Sequence, residues 1–232
     1  MKRISWILLG MGMFFLNACT LFSGLQIVNH PAPEISVDLT PFTELGCQGT
    51  YWSCAKEPPL SDFGCSVMMA PDPMLGALNP NSPLGLCKYY GENPVGGVYR
   101  GGCARPEYVH YVLYQDGAYS MLSTPEEFRS FFAPIETENE ALSYAMAMTG
   151  YSASFGQQKL ADAKYEVKTI EDTHVVKKMD GYEINLFHFQ FCGCGPHTMT
   201  EIRLLITPDG QINELGKQVM YEDLKMKDMC VD

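Results

Sequence analysis

Thr200-Glu201-Ile202-Arg203-Leu204-Leu205-Ile206-Thr207-Pro208-Asp209-Gly210-Gln211-Ile212-Asn213-Glu214-Leu215 decides the fold class of this chain. Two apolar-rich runs, 200–207 and 211–215, flank Pro208-Asp209-Gly210, in which proline presets one turn dihedral and glycine supplies a positive φ. So tight a turn joins strands only as antiparallel neighbours. Upstream, 165–170, 173–179 and 182–191 carry β-branched and aromatic residues, with Asp180-Gly181 as a second tight turn. Alternation in 182–191 changes face near Leu186-Phe187, which predicts a β-bulge there.

Two helix starts precede these strands. Thr124-Pro125-Glu126-Glu127 sets a capping Thr, a Pro at the first helical position and a Glu three residues after the cap, with Phe128, Phe131 and Phe132 as the apolar face and Pro134 as the stop. Thr137-Glu138-Asn139-Glu140 repeats the capping box, and the helix it opens runs through 141–148 until Gly150 ends it. Earlier still, 108–114 and 118–122 flank Gln115-Asp116-Gly117, a strand-turn-strand signature. Residues 106–232 therefore read as an α+β domain, an antiparallel sheet with two short helices.

Glu140-Ala141-Leu142-Ser143-Tyr144-Ala145, followed by the hairpin Arg203-Leu204-Leu205-Ile206-Thr207-Pro208-Asp209-Gly210-Gln211-Ile212, resembles the PepSY-type and cystatin-like α+β modules of exported bacterial proteins. The resemblance covers the C-terminal third to half of the chain. It implies a non-catalytic binding or protease-inhibitor-like role and carries no active residues with it.

Residues 43–105 differ in character. Pro58-Pro59, Pro71-Asp72-Pro73, Asn79-Pro80-Asn81-Ser82-Pro83, Gly96-Gly97 and Gly101-Gly102 punctuate them, and no apolar period survives for more than a few residues. A stretch without regular hydrogen-bond ladders needs cross-links, and five cysteines lie within it. It reads as a loop-rich, disulfide-stapled module preceding the sheet domain. Residues 19–42, with Pro31-Ala32-Pro33, read as a tether with little structure of its own.

The first 18 residues read as an export signal. Met1-Lys2-Arg3 is a short positive region, and 4–16 is uncharged and apolar but shorter than the roughly 20 residues that span a bilayer. Leu16-Asn17-Ala18-Cys19 resembles a lipobox, which implies cleavage before Cys19 and lipid on its thiol. Each buried methylene of such a lipid contributes roughly 0.8 kcal/mol, so several acyl chains anchor stably. Thr20 is not Asp, which by the sorting pattern of enterobacterial lipoproteins implies an outer-membrane address in the cell envelope.

Of nine cysteines, eight remain beside Cys19: Cys47, Cys54, Cys65, Cys87, Cys103, Cys192, Cys194 and Cys230. In an oxidising compartment these predict up to four disulfides. Five fall in 47–103 and three near the C-terminus, so full pairing requires at least one bond between the clusters. Cys230 is expected to pair with Cys192 or Cys194.

Without residues 1–18, which hold Lys2 and Arg3, 14 basic residues face 27 acidic ones, a formal charge of −13. That balance repels phosphate backbones and excludes nucleic acid as a partner. Hydrophobic content of 46% excludes a disordered body. The expected partners are the membrane, through the lipid, and a protein of the envelope.

Cys192-Gly193-Cys194-Gly195-Pro196-His197, with His188 upstream, is the densest set of metal-ligating types. It reads first as disulfide-forming and alternatively as a zinc or copper site built from Cys192, Cys194, His197 and His188. The methionines, among them Met68-Met69, Met74, Met226 and Met229, show no regular spacing and read as core filler. Gly150-Tyr151-Ser152-Ala153-Ser154-Phe155-Gly156 departs from the nucleophile-elbow pattern. His110 and His174 read as isolated strand residues, and Tyr89, Tyr90 and Tyr99 as packing residues or a contact surface. No catalytic residue and no cofactor is expected, so the sequence reads as non-enzymatic.

Overall fold

The computed structural model describes residues 24–54, 59–91 and 96–231. The export signal and Cys19 lie outside the described residues. In chain order the strands and helices are β1 (Gln26–Val28), α1 (Thr40–Glu44), β2 (Val67–Met69), β3 (Leu84–Tyr90), β4 (Tyr99–Gly101), β5 (Glu107–Gln115), β6 (Ala118–Leu122), α2 (Pro125–Phe132), α3 (Glu138–Thr149), β7 (Ala163–Tyr165), β8 (Thr169–Glu171), β9 (Val175–Lys177), β10 (Tyr182–Gln190), β11 (Gly193–Cys194), β12 (Thr198–Ile206), β13 (Ile212–Asp223) and β14 (Cys230–Val231). The fold is broadly α+β and mainly sheet, curled in part as a half-barrel.

Two five-stranded sheets make the body. In the first, β2, β3, β5 and β4 lie side by side, and β6 also pairs with β5; the second runs β7-β13-β12-β10-β9. The β5–β6 turn places both Asp116 (φ 52°) and Gly117 (φ 82°) in the left-handed region, which matches the twist of an antiparallel hairpin. One hydrophobic core joins the sheets through α2 and α3: Leu84, Leu86, Val109, Tyr111 and Leu113 from the first, Ile184, Leu186, Ile202, Leu204 and Ile206 from the second. Every residue of α3 from Glu140 to Ala147 is buried. Its alanines allow close approach on all sides, as a helix enclosed by other elements requires. Tyr144 donates its hydroxyl to the Gly210 carbonyl (2.9 Å), and the Tyr111 hydroxyl donates to the Ala147 carbonyl (3.0 Å). Both expected capping boxes form, at Thr124/Glu127 and Thr137/Glu140.

The sequence-based expectation for 43–105 needs correction. β3 runs through that stretch and pairs with β5 over seven residues, Leu84 facing Leu113 and Tyr90 facing Glu107. Its pattern was invisible because Leu84, Gly85, Leu86 and Cys87 are all buried, and a strand covered on both faces shows no alternation. A Cβ on Gly85 would lie 2.9 Å from the Trp52 ring and 3.0 Å from the Phe42 ring. Phe42, Cys47, Leu60, Cys87 and Val112 form a second cluster on this outer face, closed by the Cys47–Cys54 and Cys65–Cys87 disulfides. The 43–105 segment is thus sheet and cap together.

Residues 24–42 are likewise ordered against the body, in contrast to the expected tether. β1 pairs parallel with β8, Val28 facing Glu171. The short α1 adds a third helix to the two expected and buries Phe42. The expected strand over 165–170 divides: β7 joins β13, and β8 turns away to β1. β10 carries no bulge, since its register against β12 is continuous from Tyr182 to Gln190. Its change of face arises because Ile184 and Leu186 enter the main core while Phe187 packs behind the sheet with Ile170 and Met220. The irregularities lie instead in the β12–β13 ladder, at Met199/Thr200 and Arg203/Leu204. No helix among the described residues is long and apolar enough to cross a membrane.

Candidate functional site

The cysteine-rich loop is a knot of staples. Cys103–Cys192 ties the first sheet to the second, and Cys194–Cys230 pins the C-terminus through the short β11–β14 pair. The bond between clusters is Cys103–Cys192, and the partner of Cys230 is Cys194. Both sulfurs that the zinc or copper reading needs are therefore consumed, and no thiolate remains at Cys192 or Cys194 to ligate an ion. His197 is buried with Nε2 3.0 Å from the Met229 carbonyl oxygen. His188 is exposed and lies over Tyr151, ring centroids 5.5 Å apart. Partial desolvation of the ring on the side that faces the sheet, and then the charge of Lys217, lower its pKa.

Beside the Cys103–Cys192 bridge a cleft of about 910 Å³ opens between the sheets, with β4 on one wall and the end of β10 on the other. The Phe187 N–H and C=O both bond to Ser152, each at 2.9 Å, so residue 187 directs its backbone groups away from β12. By the period of two along a strand, Phe189 directs its N–H and C=O the same way, past Ser152 and toward the cleft. The opposite wall carries the Lys88–Glu107 ion pair (2.8 Å) and the Arg100 guanidinium over the Tyr108 ring. At the base, burial and then the Glu107 charge push the Tyr99 phenol up to about 12.

A second constellation lies where β1 meets β8. Asp172 is fully buried and accepts hydrogen bonds from Gly156 N (2.7 Å), Gln157 N (3.0 Å), Asn29 Nδ2 (3.0 Å) and His30 N (3.1 Å). Burial raises its pKa, but the Gln157, Asn29, Gly156 and His30 donors outweigh burial and hold it below the usual carboxylate value. His30 Nε2 lies 2.8 Å from Glu171 Oε1, and His174 Nδ1 lies 3.6 Å from the same oxygen. The two imidazoles stack with centroids 4.7 Å apart. Among the described residues this trio is the one group of His, Cys, Asp and Glu side chains gathered closely enough to hold an ion.

Sequence reasoning missed that trio. His174 reads in the sequence as an isolated strand residue, whereas it sits in the β8–β9 connection, and His30 falls in a stretch that reads as a tether with little structure of its own. The available signal was Glu171-Asp172-Thr173-His174, but its partner lies about 140 positions away in the chain. Of the tyrosines, Tyr89 donates to the Phe63 carbonyl and meets His110 edge-on, Tyr90 lies under Arg105, and Tyr99 packs against Gly150. Met69 and Met74 pack on the main core and Met68 on the second cluster. Ser152 is occupied as backbone partner of Phe187. Compared with known proteins, the chain matches no family model, no curated protein and no solved structure.

Proposed function

We propose that this chain is an exported, non-enzymatic binding protein of the cell envelope, lipid-anchored through Cys19, that holds an extended segment of an envelope protein in the cleft between its sheets. Export is supported by the four disulfides, which use every cysteine from Cys47 to Cys230 and suit an oxidising compartment. The observation that carries the binding reading is the open edge of β10: Phe189 offers one N–H and one C=O to the cleft. An incoming extended peptide gains main-chain hydrogen bonds there and side-chain contacts on alternate residues. The exposed edge of β10 beyond Ser152 is short, which limits pairing with further copies of the chain.

Two experiments test this reading. Globomycin, or Cys19→Ala, is expected to move the protein from the membrane fraction to the soluble one; retention in the membrane removes the anchor. For the cleft, a photo-crosslinker at Gln190 is expected to trap an envelope protein in living cells. Phe189→Pro is expected to abolish that adduct without unfolding the chain, because the lost N–H faces away from β12. An adduct unchanged by Phe189→Pro eliminates strand addition as the binding mode.

A further inference from the structure

The structure assigns a divalent transition-metal site, of a chemistry suited to Zn²⁺, to His30, Glu171 and His174. One ring nitrogen from each histidine and one Glu171 oxygen lie within 4.8 Å of one another. A tetrahedral Zn²⁺ with bonds of about 2.0–2.2 Å keeps its ligand atoms roughly 3.3 Å apart. The observed 2.8 Å and 3.6 Å separations from Glu171 Oε1 bracket that spacing, so small side-chain rotations close the shell. Two imidazoles and a carboxylate are the donor set that favours zinc over calcium or magnesium.

The surroundings hold each ligand in place. His30 is fixed at its backbone by Asp172, beside the Asn29 amide that binds the same carboxylate. The His174 backbone N–H donates to Asn185 Oδ1 (2.8 Å), and the buried Asn185 amide in turn reaches the Asp172 carbonyl (3.2 Å) and Glu201 Oε1 (3.1 Å). The His174 Nδ1 also lies 3.1 Å from the Asp172 carbonyl oxygen, a contact that the ring gives up when Nδ1 turns to the ion. The register of β1 on β8 sets Val28 across from Glu171, which brings His30 into reach just past the strand end. Each of the three side chains keeps roughly a third of its surface in water, which leaves an ion access and a fourth position for water or a ligand. Occupancy clamps the N-terminal segment to the sheet body. This site is independent of the cleft and of the reading proposed for it.

The test is calorimetric titration of Zn²⁺ into the untagged full chain in chelator-free buffer. The expected result is one ion per chain, with affinity reduced at least roughly tenfold by each of His30→Gln, Glu171→Gln and His174→Gln, and unchanged by His188→Gln. Zinc is expected to raise the Tm of the wild type and not of those three variants. Should a variant fail to fold, ring NMR of the wild type decides: zinc shifts the resonances of His30 and His174 and leaves those of His110, His188 and His197 in place. No stoichiometric uptake, an unaltered affinity in His30→Gln, or ring shifts at other histidines overturns the assignment.

Discussion

The Asp172 carboxylate accepts the His30 backbone N–H at 3.1 Å, across 142 positions of sequence, and so fastens the N-terminal segment to the sheet body. A buried carboxylate surrounded by N–H donors and, among the described residues, without a cation in direct contact depends on those donors. Asp172→Ala leaves them unpaired and is expected to destabilise the protein by at least about 2 kcal/mol. Hydrogen exchange of residues 24–30 is expected to accelerate before that of β12; equal protection of both in the variant would refute the fastening role.

The same group sets an acid limit. Its folded pKa lies below the unfolded value of 3.8, so its contribution is complete above pH 3.8 and is lost as the pH falls through the lower folded value. The β1–β8 pairing is expected to loosen there, seen as protease access at residues 24–30. In Asp172→Asn the pH dependence of that access is expected to vanish.

The Cys103–Cys192 bond closes a loop of 89 residues. On the chain-entropy account a loop of that length contributes about 4–5 kcal/mol, with native strain able to reduce it. Replacing both cysteines with Ser is expected to lower the unfolding free energy by roughly 2–5 kcal/mol in a denaturant titration. A loss near zero would mean that the shared core alone holds the sheets.

Thr137 caps the buried helix α3 by accepting the Glu140 N–H at 3.2 Å. Thr137→Ala is expected to cost about 1 kcal/mol. Burial raises the Glu140 pKa against the opposing hydrogen bonds from the Glu136 and Thr137 N–H groups, so its carboxylate weakens folding at neutral pH and that penalty fades as the pH falls through the folded value. Glu140→Gln is expected to remove this pH dependence in thermal melts.

Gly150 ends α3 in the left-handed region (φ 70°), and a Cβ there would lie 2.4 Å from the Tyr99 ring. Gly150→Ala is expected to cost at least about 1–2 kcal/mol from backbone strain alone. It also displaces Tyr99 at the base of the cleft, so the elevated phenol pKa is expected to fall toward its ordinary value in an ultraviolet titration.

Local chemistry was legible throughout the second half of the chain. Thr124 and Thr137 with glutamates three residues on fixed both helix starts, Gly150 fixed a helix end, and Asp116-Gly117 and Asp209-Gly210 fixed turns, because each depends on neighbours a few residues apart. Cysteine parity required a bond between the clusters without choosing it. What escaped were the elements whose partners are distant. Leu84-Gly85-Leu86-Cys87 does not alternate because the core covers one face and the stapled cap the other. Leu25 and 26–30 resemble a tether until β8 and Asp172 supply their partners.

The sequence by itself determined the antiparallel α+β character, the helix caps and the even set of eight cysteines, since backbone dihedral preference and short-range hydrogen bonding act within a few residues. Only the tertiary structure decided that Cys192 meets Cys103, that His30 meets Glu171 and His174, and that β4 faces β10 across a cleft. Those meetings depend on how two sheets and a buried helix share one core, and packing of that kind leaves no periodic trace along the chain.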